Sequence, residues 1–279
     1  MKFSKSLVMA SALNLFCLPV FSQGIIIDHN CTDISKVPRE NIEKAKTQFK
    51  VAYGHTSHGS QIVSGMDALK RSDPSFFAFT KDSAPNTLSF WDAVPSGDLG
   101  NPDRSAWAQR TRELLTGNGR DRNLIVWSWC GQAGGASEKD MQTYLDLMNA
   151  LEKEFPAVKF VYMTGHLDGS GKDGNLNKRN EQIRGFCKKN GKVLFDFADI
   201  ESYDPDGKVN YMELFATDGC DYSDGKQKKN WADEWLKNNP GNKIILPDSA
   251  AHSKPLNAAR KGSAFWWMMA RLSGWNPAK

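Results

Sequence analysis

Short, nearly continuous apolar runs at residues 49–53, 123–129, 158–164 and 193–197 alternate with longer stretches whose apolar positions recur every three or four residues. The first pattern predicts strands buried on both faces, and the second predicts amphipathic helices. The helices fall at residues 39–48, with Pro38 in the first turn, then at 61–70, 104–115, 137–155, 176–189 and 255–272. In the second of these, Ile62, Val63, Met66 and Leu69 form the apolar stripe, and Ser137 is placed to cap the fourth. Strand–turn–helix repeats of this kind predict an α/β fold: a three-layer α/β/α sandwich with a central parallel, flavodoxin-like sheet of about five strands. Ligands of such sheets bind beyond the carboxyl ends of the strands. The turns after residues 53, 129 and 164 should therefore share one rim.

The first 22 residues change the setting. Lys2 and Lys5 precede an apolar run over 7–21 and the small Ser22, the pattern of a cleaved signal peptide too short to span a membrane. A secreted or periplasmic location is expected, with no membrane insertion after cleavage. Residues 23–279 contain no repeat or Pro/Ser linker and read as a single domain. The formal charge of +4, less the two leader lysines, leaves about +2 with both signs interspersed, so no nucleic-acid partner is implied. No oligomeric state is implied either. Beyond Cys17 of the leader lie Cys31, Cys130, Cys187 and Cys220, an even count that suggests up to two disulfides in an oxidising compartment, without fixing their connectivity. Cys130 falls in a rim turn, where a free, nucleophilic thiol is the alternative.

The chemistry concentrates at Tyr53-Gly-His-Thr-Ser-His-Gly-Ser-Gln61, which places hydroxyls and two of the chain's five histidines between a strand and a helix. Ser, Thr and Gly are ordinary turn residues, but paired imidazoles are not. A nucleophilic hydroxyl needs a neighbouring base and gains from helix N-terminal amides. Gln132, His166 and Asp168 lie in later rim turns, and the segment from Asp248 to His252 precedes the last helix. His55, His58 and His166 could together hold zinc, but no matching carboxylate pattern accompanies them, so neither a metal nor another cofactor is expected. Asp168 and the oxygens of 173–177 are interrupted by Lys172 and Lys178 and read as a polar turn rather than a calcium loop. Of nine tryptophans, Trp127, Trp129, Trp266 and Trp267 read as core, whereas Trp91, Trp107, Trp231 and Trp235 have polar surroundings suited to stacking on sugar faces.

This order of motifs resembles the SGNH, or GDSL-like, hydrolase superfamily. Residues 54–60 stand at its first motif, Ser96-Gly-Asp-Leu-Gly100 at its second, Cys130-Gly-Gln132 at its Gly-x-Asn-Asp motif, and 248–252 at its Asp-x-x-His segment. Thr56 occupies the strict register of the family serine, Gln132 replaces the Asn, and the acid is four residues before the histidine. The resemblance implies Ser57 as nucleophile, with Ser60 as alternative, His252 as base and Asp248 as its orienting acid. It also implies Gly97, Gly100 and Gln132 at the oxyanion, with His55, His58, His166 and Asp168 around the substrate. The expected activity is that of a carbohydrate esterase removing an acyl group such as acetyl. A glycosidic-bond-cleaving enzyme using His and Asp as acid and base, and a non-catalytic glycan-binding protein, are the rivals.

Overall fold

The computed structural model describes residues 24–225 and 227–277; the signal peptide expected over residues 1–22 lies outside the described residues. Its centre is an all-parallel sheet of seven strands: β1 (Ile25–Ile27), β2 (Lys50–Gly54), β3 (Phe79–Thr80), β4 (Leu88–Asp92), β5 (Leu124–Trp127), β6 (Lys159–Met163) and β7 (Val193–Phe195). Their spatial order is β1-β7-β6-β5-β2-β4-β3. Counting from β2, the inner five strands follow the 2-1-3-4-5 flavodoxin order. The two extra strands are three and two residues long, too short to produce a pattern in sequence. Val51, Ala52 and Tyr53 are fully buried, as are Leu124 and Val126, which explains the unbroken apolar runs.

Helices α1 (Arg39–Gln48), α2 (Ser60–Ser72) and α8 (Pro255–Leu272) pack together on one side of the sheet. On the other side lie α3 (Ala106–Thr116), α4 (Glu138–Glu154) and α5 (Asn175–Lys189), in contact with one another in that order. Ser137 caps α4 in a reciprocal capping box with Asp140. After β7 come α6 (Phe197–Glu201), the antiparallel hairpin β8 (Asp221–Asp224) and β9 (Gln227–Asn230), and α7 (Trp231–Asn238). This insertion has a small core of its own, built on Leu167, Tyr211, Cys220, Trp231 and Leu256. Among the described residues no helix is long and apolar enough to cross a membrane.

Two glycines let α2 and α8 cross closely. A Cβ at Gly65 would fall on the carbonyl of Ala258, and one at Gly262 would fall on the backbone of Gly65. Backbone cannot swing aside as a side chain can, so Gly262→Ala is expected to destabilise by about 1–3 kcal/mol. Urea unfolding that shows no loss for this variant would mean the two helices separate freely.

The cysteine and tryptophan expectations need correction. All four described cysteines are free. The Cys31 thiol faces the Ile26 carbonyl and Asp28, Cys187 is fully buried on α5, Cys220 faces Ser253, and Cys130 lies at the rim. Burial pushes the thiols of Cys31 and Cys220 up to about 12, holding them protonated. Trp107 and Trp231, each 1% exposed, are core residues rather than stacking platforms. Trp107 packs edge-on to Trp127, and Arg122 covers the ring of Trp91.

Candidate active site

The topological switch point lies between β2 and β5, where the chain goes out to β4 on one side and returns on the other. The two turns flanking this crevice carry 55–59 after β2 and 128–136 after β5. At their base a Cβ on Gly54 would come within 2.6 Å of the Trp127 indole, so only glycine lets the strands' ends approach this closely. The indole of Trp129 donates to the Met163 carbonyl at 2.9 Å, tying the second turn to β6.

His58 occupies the centre. Its Nε2 lies 2.9 Å from Asp218 Oδ2, and its Nδ1 lies 3.3 Å from the sulfur of Cys130. With the proton on Nε2 donated to the carboxylate, Nδ1 is the acceptor that faces the thiol. Thiol, imidazole and carboxylate thus stand in the order that a nucleophile, a base and its orienting group require. Burial alone would raise the Asp218 carboxyl, but the hydrogen bond from His58, the charges of His166 and His58, and the Gly219 amide outweigh it and hold it below the ordinary carboxylate range. Asp218 reaches the crevice because the isolated bridge between Asp168 and Thr217 and the Asp218 amide, donating to the Leu167 carbonyl at 3.0 Å, dock its loop on the His166 loop.

Two further imidazoles stack on His58: His166 at 3.7 Å between centroids and 2° between planes, and His252 at 4.5 Å and 16°. His252 is held in the left-handed region, φ +58°, a costly conformation for a non-glycine residue and one often found at functional sites. His58, His166 and Asp218 bring three potential metal-ligand atoms within 4.8 Å of one another. Parallel stacked rings, however, aim their nitrogen lone pairs along parallel planes rather than at one point. The observed arrangement therefore suits proton transfer better than tetrahedral coordination.

The residues singled out by sequence divide into two groups. His58, His166 and His252 meet, with Ser57 nearby: its Oγ lies 3.8 Å from the Cys130 sulfur. Among the described residues no imidazole hydrogen-bonds Ser57, and Ser60 Oγ donates to the Ser57 carbonyl at 2.6 Å. Asp248 does not orient His252; its carboxylate is 94% exposed and lies 3.4 Å from Arg71. The carboxylate within reach of the stacked imidazoles is instead Asp218, 2.9 Å from His58 Nε2. His55 is turned toward β4, with Nε2 at 2.6 Å from Asp92 and Nδ1 at 2.8 Å from the Thr56 carbonyl. Gln132 donates its amide to Asp98 at 3.2 Å and is thus committed away from an oxyanion. Gly97 and Gly100, both with positive φ, back onto the guanidinium groups of Arg110 and Arg104, and Arg104 donates to the Gln132 carbonyl at 3.2 Å. Asp168 closes a local turn by accepting from the Ser170 amide and hydroxyl.

Asp218 gave no signal in sequence beyond a Thr-Asp-Gly turn. A buried polar network that supports the site was equally silent. Lys261, fully buried on α8, donates to both Gln61 and Glu201. Glu201 in turn accepts the Leu167 amide at 2.8 Å, next to His166, and Gln61 donates to the Ala251 carbonyl at 2.7 Å, next to His252. The Gln61 backbone amide also donates to the His58 carbonyl at 3.2 Å. One network thus positions all three stacked histidines.

No protein-family model and no curated protein matches the chain. Thr56 Oγ1, Asp98 Oδ1 and Gln132 Oε1, on the loops after β2, β4 and β5, are buried without a hydrogen-bond partner. Such atoms are costly unless ordered water or a bound group satisfies them.

Proposed function

We propose that this chain is a hydrolase that cleaves an acyl ester on a carbohydrate through a covalent thioester, with Cys130 as nucleophile, His58 as base and Asp218 as the carboxylate that orients it. The observation that carries this reading is the continuous contact Cys130 Sγ–His58 Nδ1 and His58 Nε2–Asp218 at a sheet's switch point. The resemblance to SGNH hydrolases in motif order supports the reaction class, with the nucleophile moved from the first turn to the turn after β5.

In this mechanism Nδ1 of His58 takes the thiol proton as sulfur attacks the ester carbonyl. The charge of the tetrahedral oxyanion is favoured by the positive end of the α2 dipole, which begins two residues after His58. His58 then returns the proton to the leaving sugar hydroxyl, and the acyl group remains on sulfur. Water, deprotonated by His58, attacks the thioester, releasing the acid and restoring the thiol.

The test is to incubate the protein with acetylated polysaccharides and follow released acetate, with and without prior alkylation by iodoacetamide. Acetate release that disappears after one equivalent of label enters Cys130 is the expected result. Release that survives complete labelling of Cys130 would overturn the thiol as nucleophile.

A further inference from the structure

Arg260 presents a second unsatisfied group, away from the rim. It lies on α8, one residue before Lys261, and is 3% exposed. Its Nε and Nη2 are buried without a hydrogen-bond partner, and among the described residues no carboxylate lies within ion-pair distance. The carboxylates closest in effect are committed elsewhere: Asp204 accepts from the Tyr211 hydroxyl at 2.9 Å and from the amides of its own turn, and Asp199 pairs with His29 at 2.6 Å. Burial lowers the Arg260 guanidinium to about 10, which still leaves it charged at neutral pH.

A buried cation is disfavoured unless anionic groups lie close, and a guanidinium is a strong hydrogen-bond donor to a carboxylate. Arg260 forms part of the wall of a cavity of about 400 Å³, whose other walls include Ile34, Leu69, Trp235, Ile244 and Ile245. This size falls within the range of small-molecule sites, which are mostly apolar with a few polar anchors. Asp33, also on the wall, is engaged by the Ser35 amide and hydroxyl and by Lys36, and Lys243 adds positive charge.

We propose that this cavity binds a small amphipathic carboxylate, with its carboxylate on Arg260 and its apolar body against Ile34, Trp235 and Ile245. The site is independent of the Cys130 chemistry, because none of its lining residues belongs to the crevice between β2 and β5.

Octanoate and octanol are the probes, titrated calorimetrically into the wild-type protein and into Arg260→Met, Ile245→Asp and Cys130→Ala. Ile245 is 42% exposed, so the aspartate variant keeps the fold while placing a negative charge on the wall. Octanoate is expected to bind one per chain, with octanol at least about tenfold weaker. Arg260→Met should abolish the preference for the acid, Ile245→Asp should weaken octanoate at least about tenfold, and Cys130→Ala should bind as wild type. No octanoate binding, equal binding of octanol, or undiminished binding to Ile245→Asp would each overturn the proposal. The last two criteria hold even if Arg260→Met does not fold.

Discussion

Cys130→Ala and His58→Ala are each expected to lower ester turnover by at least about a thousandfold while leaving the melting temperature nearly unchanged, because both act in one proton-transfer unit. Asp218→Asn should retain more activity than either, since the carboxylamide still accepts from His58 but no longer stabilises its cationic form. Ser57→Ala should cost far less, as its hydroxyl meets sulfur rather than an imidazole. Steady-state rates on one acetylated substrate, measured alongside calorimetric melting, separate the possibilities. If Ser57→Ala is dead and Cys130→Ala active, the nucleophile is the serine. If both stay active and only His58→Ala fails, the stacked histidines perform acid–base chemistry without a covalent step, and glycosidic-bond cleavage becomes the leading reading.

Lys261→Met is expected to be the most damaging substitution for stability, by about 3–5 kcal/mol, with a fall in melting temperature on the order of 10 °C. Lys261 and Glu201 are both fully buried, so removing the ammonium strands a carboxylate in the interior. Burial pulls the Lys261 ammonium down, and the Glu201 carboxylate opposes that effect. Adding Glu201→Gln to the methionine variant removes the stranded charge while keeping an acceptor for the Leu167 amide, and should restore at least about half of the loss. Thermal unfolding of the two variants is decisive: a single substitution costing under about 1 kcal/mol would show that the ion pair contributes little.

The fold was legible because its inner strands are buried on both faces. The runs around Val51–Tyr53 and Leu124–Trp127 leave no polar position to interrupt them, and period alone separates them from the helices between. β1 and β3 were not legible, since two or three residues carry no period, and α6 begins where residues 193–197 continue as if in one strand. In the candidate site, the turns after β2, β5 and β6 could be assigned to one rim because parallel strands share a direction. The partner of each side chain could not. Asp248 is close to His252 in sequence, yet a turn sends it to Arg71, while Asp218 is supplied by an insertion folded around its own apolar cluster. Proximity along the chain and proximity at a loop tip are unrelated quantities, and the second depends on contacts such as the Asp168–Thr217 bridge.

The separate origin of Asp218 sets the order in which the site would come apart. Cys130 and His58 hang from β5 and β2, which are paired directly from Val51 with Leu124 to Gly54 with Trp127, so the gap between sulfur and imidazole is fixed by the most deeply held part of the protein. The orienting carboxylate belongs instead to a peripheral layer whose opening need not disturb that ladder. Such layers open at lower free energy than the centre of a sheet. Heat or denaturant would therefore first free the imidazole to rotate, and the proposed chemistry would stop while the strands remained in register.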